Sequence, residues 1–172
     1  MHLDELLQNS RNPHTCFMSP SRLETTASQN YFVFLGKLSQ SPKGVKMLER
    51  QEILRRLMDL VREMGHEYYV KLIVSSLYYG EEYCRRILGS ALMSPLENAR
   101  MYATQFLRVL VRAKLPDFSK WGIELLVNQL GDKSRAISLA AMDILEEAIH
   151  DKVDQQLQIG HFEHEGRLQF FL

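Results

Sequence analysis

From Leu23 onward the apolar residues of this chain recur with a helical period and are interrupted only by short polar turns. Residues 23–39 place Tyr31, Phe34, Leu35 and Leu38 on one face. After the Ser41-Pro42 break a short turn holds Val45, Met47 and Leu48, and then Ile53, Leu54, Leu57, Met58, Leu60 and Val61 follow at helical spacing as far as Gly65. Further helices are predicted at 67–79 (Val70, Ile73, Val74 and Leu77 inward), 81–93 (Ile87, Leu88, Ala91, Leu92) and 97–113. A loop follows at Pro116, then helices at 121–130, stopped by Gly131-Asp132, and from a Ser134 N-cap to about His150. No alternating run is bounded by hairpin turn pairs, so no strand is predicted. Residues 1–21, rich in Asn, Ser, Pro and His, read as a mobile N-terminal arm; 153–172 read as a divergent, frayed tail.

A repeat emerges when each helix is anchored on a leucine and read back three, four and seven residues. Leu38 comes with Leu35, Phe34 and Tyr31; Leu77 with Val74, Ile73 and Val70; Leu110 with Leu107, Phe106 and Ala103; Leu145 with Met142, Ala141 and Ser138. The anchors lie 39, 33 and 35 residues apart, and each interval holds a second amphipathic helix. Such a pair cannot bury both faces alone, so neighbours must stack. The fold class is therefore all-α, a HEAT/armadillo-like α-solenoid of about four two-helix repeats over residues 22–152. A non-repeating helical bundle is the alternative, and the stripe is core in either.

Composition narrows the function. With 21 Lys+Arg against 21 Asp+Glu in 172 residues the net charge is zero, which removes the electrostatic case for nucleic acid or a polybasic membrane mode. Cys16 and Cys84 cannot make a disulfide framework, the start carries acidic residues where a secretory signal needs a basic flank, and no apolar run reaches a membrane span. A soluble, cytoplasmic protein without an integral membrane segment is expected.

Chemistry is sparse. The chain has no phosphate loop, dinucleotide fingerprint or nucleophile elbow, so no cofactor is expected. His161-x-x-His164 is read as solvated tail, since no third metal ligand stands at a recognised spacing. Cys84, beside Arg85 and Arg86, is read as packed; Glu146, Glu147 and Asp151 as an outer charged face; Trp121 as a cap on the preceding repeat. Arg100, Arg108 and Arg112 share roughly one side of the longest helix: a basic ridge for an acidic partner, or a solvated face, the latter favoured. Ser19, Ser41 and Ser94 each precede proline, as minimal phosphorylation sites or as helix-start signals, with the turn reading favoured for Ser41 and Ser94.

The runs Ser41-Pro42-Lys43-Gly44-Val45-Lys46-Met47-Leu48-Glu49, Lys71 to Tyr79, Arg100 to Ala113, Trp121 to Leu130, and Asp132-Lys133 through Ile137-Ser138 to Ala148 resemble, in order, the Rictor family. The resemblance covers about three quarters of the chain, Arg22 to Lys152; residues 1–21 and those after Val153 match poorly. It implies a slice of the middle, HEAT-like part of a large non-catalytic scaffold of TOR complex 2, whose partners are the TOR kinase and other subunits and whose output is directed to AGC kinases such as Akt. A helical-repeat adaptor of another pathway, such as transport or vesicle traffic, is the alternative. An unrecognised enzyme is disfavoured by the absent motifs. The apolar finish Leu168, Phe170, Phe171 and Leu172 leads us to expect marginal stability or self-association of the isolated chain.

Overall fold

In the computed structural model, residues 2–9, 14, 16–63 and 66–150 are described. They form α1 (His2–Gln8), α2 (Pro20–Thr25), α3 (Asn30–Leu38), α4 (Pro42–Arg50), α5 (Ile53–Glu63), α6 (Glu67–Ser76), α7 (Glu82–Leu92), α8 (Glu97–Arg112), α9 (Phe118–Gln129) and α10 (residues 135–150). No strand occurs among the described residues. The helices stack in two layers. In one, α3 packs on α6 and α6 on α8, and α10 follows through side-chain contacts to α8; in the other, α1 packs on α5, α5 on α7, and Leu125 of α9 reaches Gly89 of α7. Contacts between alternate helices, with one continuous core between the layers, are those of an α-solenoid.

Local chemistry explains where the elements break. The stretch expected as one helix over 23–39 is divided, because Thr25 and Thr26 hydroxyls donate back to the carbonyls of Ser21 (2.7 Å) and Arg22 (2.5 Å) and Thr26 then accepts from Ser28 N–H. The expected turn after Ser41-Pro42 is a nine-residue helix, α4: Ser41 Oγ accepts the Gly44 N–H at 3.1 Å and Pro42 occupies the first turn. Helix α6 stops at Ser76 with Leu77 extended, since the Tyr78 N–H is taken by Ser39 Oγ at 3.0 Å.

Within the stretch 1–21, expected as a mobile arm, the described residues include several that are packed on the fold. Leu3 and Leu6 are fully buried against α5, Asp4 holds Arg56 at 2.5 Å, Cys16 and Met18 lie in the core, and the buried Tyr69 hydroxyl donates to Met18 O at 2.8 Å. The spacing Leu3–Leu6 was too short to show a period beside the polar run after it. His161, His164 and the apolar finish from Leu168 lie outside the described residues.

The repeat is present with a register one residue different at both ends. Inward positions, all buried except the partly buried Phe106, align Phe32, Leu35, Gly36 and Ser39 with Val70, Ile73, Val74 and Leu77, then with Ala103, Phe106, Leu107 and Leu110, then with Ile137, Ala140, Ala141 and Ile144. Phe32, Val70, Ala103 and Ile137 are thus 38, 33 and 34 residues apart. Leucine anchoring placed Phe34 and Met142 in the core, whereas they are 57% and 56% exposed. The first repeat has Gly36 and Ser39 at two of its inward slots, and its leucine anchor, Leu38, stands one residue off the inward register.

Those small residues have a physical reason. A Cβ built on Gly36 would stand 1.8 Å from the Ser76 carbonyl oxygen, so α3 and α6 meet backbone to backbone. Ser39 Oγ fastens the contact, donating to Gly36 O (2.7 Å) while accepting from Tyr78 N–H. Alanine normally favours a helix interior over glycine by about 1 kcal/mol. Here the clash is with backbone, which cannot rotate away, and we predict that Gly36→Ala lowers stability by about 1–3 kcal/mol, as overpacking does. Denaturant unfolding reads the sign; a stabilised variant refutes the close approach.

Candidate functional site

The densest polar constellation lies where α8, the α7–α8 turn and the α9–α10 turn converge. Arg100 is 4% exposed. Its guanidinium grips Asp132 twice, Nε to Oδ2 at 2.7 Å and Nη2 to Oδ1 at 3.1 Å, and Nη1 donates to the carbonyls of Ser94 (2.9 Å) and Pro95 (3.3 Å). Asp132 also accepts the Ser134 N–H at 2.7 Å. One turn along α8, Thr104 donates to Arg100 O (2.9 Å) and lies 3.3 Å from Gln129 Oε1, while Gln129 Nε2 donates to Leu92 O at 3.4 Å. The hydrogen bonds from Arg100, chiefly, hold the Asp132 carboxyl below the usual carboxylate range despite its burial. A planar fork with donors on two edges can join three chain segments in this way; a lysine could not.

The three arginines of the expected ridge therefore have different surroundings. Arg100 is inside the stack. Arg108 Nε approaches Glu147 Oε2 at 3.4 Å and Nη1 donates to Gln105 at 3.3 Å. Arg112 is largely exposed, and it too grips Glu147, at 2.6 and 3.2 Å. Both latter cations reach across to α10, so the side of α8 that reads as a ridge is a seam between repeats. Glu147, expected on an outer face, is the anion of that seam, whereas Glu146 faces His150 in the open.

Ser19 is 1% exposed at the start of α2 and Ser94 is 3% exposed with its Oγ accepting the Leu96 N–H at 3.2 Å. Ser41 is solvent-exposed, with extended backbone at the N-cap of α4. Cys84 is fully buried, and burial pushes its thiol up to about 12; the neighbouring Arg85 spends its donors on Tyr79 O (2.8 Å) and Gly80 O (2.6 Å). Trp121 packs on the preceding repeat as expected, its ring 5.0 Å beneath the Arg85 guanidinium. A depression of about 400 Å³ between the N-termini of α6 and α8 holds Glu67 and Glu97, but these carboxylates are engaged by Lys71 (2.8 Å) and Ser134 (2.7 Å). Among the described residues no group of three metal-ligating side chains converges, and no helix is long and apolar enough to cross a membrane.

The arrangement is one of cross-repeat fastenings, and comparison with known proteins gives the same frame. Residues 9–111 match the family described as Rapamycin-insensitive companion of mTOR, middle domain, and residues 117–165 match the RasGEF_N domain of the same proteins. The chain belongs to the Rictor family. It is 47% identical over 133 residues to the rapamycin-insensitive companion of mTOR of Homo sapiens, covering 77% of this chain and 8% of that protein. It is 36% identical to protein pianissimo A of Dictyostelium discoideum (78% and 12%), and 29% identical to the target of rapamycin complex 2 subunit ste20 of Schizosaccharomyces pombe (75% and 10%). The chain thus spans about a tenth of the length of these Rictor-family relatives. The two matched segments meet between residues 111 and 117, and the Arg100–Asp132 clamp joins one to the other across that boundary.

Asp132 was missed in the sequence because an arginine and an aspartate 32 residues apart look unrelated; one repeat length apart, they are neighbours. Removing one partner of a buried ion pair leaves an uncompensated charge, so Arg100→Ala should cost about 3–5 kcal/mol in chemical denaturation. Because Asp132 titrates lower when folded than unfolded, its contribution is present above the ordinary carboxylate value of 3.8 and is lost as pH falls through the folded value. Asp132→Asn should therefore flatten the acid limb of the stability profile, and an unchanged limb would show that the pair is not coupled to folding.

Proposed function

We propose that this chain is a non-catalytic scaffold segment of a Rictor-like subunit of TOR complex 2, acting in the cytoplasm to support TOR kinase signalling to AGC kinases such as Akt. The observation that carries the reading is the match over 132–135 residues to proteins named as TOR complex 2 subunits or as companions of mTOR. The structure supports it in kind: polar groups are spent on fastening one repeat to the next, as a rigid spacer requires, and the two buried cysteines are packed rather than poised. Its partners are proteins, the TOR kinase and other subunits of the complex. The test is co-purification. A tagged parent protein carrying this segment should recover the TOR kinase, and Arg100→Ala should reduce the yield by loosening the stack; a parent that recovers no TOR complex 2 subunit would sink the assignment.

Of the three Ser-Pro serines, we propose Ser41 as the one open to phosphorylation in the folded chain. It is exposed and extended, whereas Ser19 and Ser94 are almost fully buried. Incubation of the native chain with a proline-directed kinase, followed by mass spectrometry, should find phosphate at Ser41 and at neither of the others until denaturant is added. Prompt native modification of Ser94 would contradict the burial argument.

A further inference from the structure

The repeat containing α3 is longer than the others because α4 is inserted in it: Phe32 and Val70 lie 38 residues apart, against 33 and 34 for the next two intervals. Helix α4 buries Gly44 and Leu48 and contacts α3 and α5. Its opposite face carries Lys43, Lys46, Met47 and Arg50, at i, i+3, i+4 and i+7, and therefore within about 100° of arc. All four are exposed, Met47 by 46%. Among the described residues none of the three cations has an ion-pair partner, while Arg56, Lys71, Arg100, Arg108 and Lys120 all do. Glu49 stands on the flank of the face, roughly 110° from its centre. In a chain of zero net charge this is a local excess of positive charge on the outward face of an inserted helix.

We propose that this face of α4 docks an acidic amphipathic helix of a partner protein. The cations supply complementarity to carboxylates placed one turn apart, and the Met47 thioether, soft and unbranched, supplies an adaptable apolar centre for one side chain of the partner. The face is about 13 Å long, the length of two to three helical turns, so three carboxylates and one apolar residue can engage at once. A lipid surface fits less well, because three cations at about one kcal/mol each give an association weaker than millimolar with an anionic leaflet, which offers no carboxylates spaced one turn apart to match them. The inference stands apart from the assignment to TOR complex 2 and is tested without it.

The probe is a fluorescent 14-residue helical peptide with Glu at i, i+3 and i+7 and Leu at i+4, titrated with the whole chain. Parallel arms use the same peptide with Gln for Glu, and phosphatidylserine vesicles. The Glu peptide should bind saturably, the Gln peptide about tenfold more weakly or less, and a rise from 50 to 300 mM salt should weaken the former severalfold. Lys43→Glu with Lys46→Glu should abolish saturation at the same concentrations while leaving the helical signal and unfolding midpoint in place, since glutamate suits the first turns of a helix. Met47→Ala should weaken binding at unchanged salt dependence. Equal binding of the Gln peptide, indifference to the double charge reversal, or retention on vesicles without binding of the peptide would each overturn the proposal.

Discussion

A buried guanidinium needs its full complement of acceptors, and Arg100 obtains them only when three segments from consecutive repeats are in place at once: the α7–α8 turn, α8 itself and the α9–α10 turn. Apolar faces alone would let one helix pair slide or rotate on the next, because hydrophobic contact has no direction. A two-edged ion pair has one. The cost of leaving Arg100 buried and unpaired exceeds what a small displacement recovers in apolar contact, so the register of α10 on α8 is set by charge and its strength by the core. Stability in such a structure is a sum over neighbouring units, and the clamp makes the terms for two units depend on each other.

The same logic recurs along the stack at about one repeat length. Ser39 meets Tyr78, Gln129 meets Leu92, Glu97 meets Ser134 and Arg112 meets Glu147, at separations of 39, 37, 37 and 35 residues. Each seam thus has an apolar interior and a polar fastening at its edge or centre. Where the fastening is Ser39, the helices are also drawn closest, with Gly36 against the Ser76 backbone. Close approach and directional bonding support one another there: without Gly36, α3 and α6 would be held too far apart for Ser39 to reach Tyr78.

The architecture was legible in the sequence because helical periodicity and repeat length are written in many residues at once. Val70, Ile73, Val74 and Leu77, and the corresponding set in α8, were placed correctly because both helices use large apolar residues at every inward slot or nearly so. The register slipped in α3 and α10, where Gly36, Ser39, Ala140 and Ala141 occupy inward slots and Phe34 and Met142, larger and more apolar, point outward. Pattern reading ranks residues by hydrophobicity, while close packing selects by size. Helix α4 was hidden for a related reason: with Gly44 and Leu48 as its buried residues it has too narrow an apolar stripe to register, and its existence rests on the Ser41 cap and Pro42. The clamp was invisible because its signal is a pair, and only the repeat length says which pairs to compare.

The allocation of charge follows from this. Equal numbers of acidic and basic residues say nothing about which are spent on joining repeats, and the arginines of α8, conspicuous in sequence, are spent on those seams, Arg100 within the stack and Arg112 at its exposed edge. A solenoid's outward chemistry is what remains after the seams are satisfied. On that accounting the side of α8 facing α10 contributes structure, and the surface free to select a partner lies on outward faces such as that of α4, where among the described residues Lys43, Lys46 and Arg50 stand without ion-pair partners around the exposed Met47. On the proposal made for α4, exchanging the outward residues of an inserted helix would change which partner is held without altering the geometry that holds the repeats together.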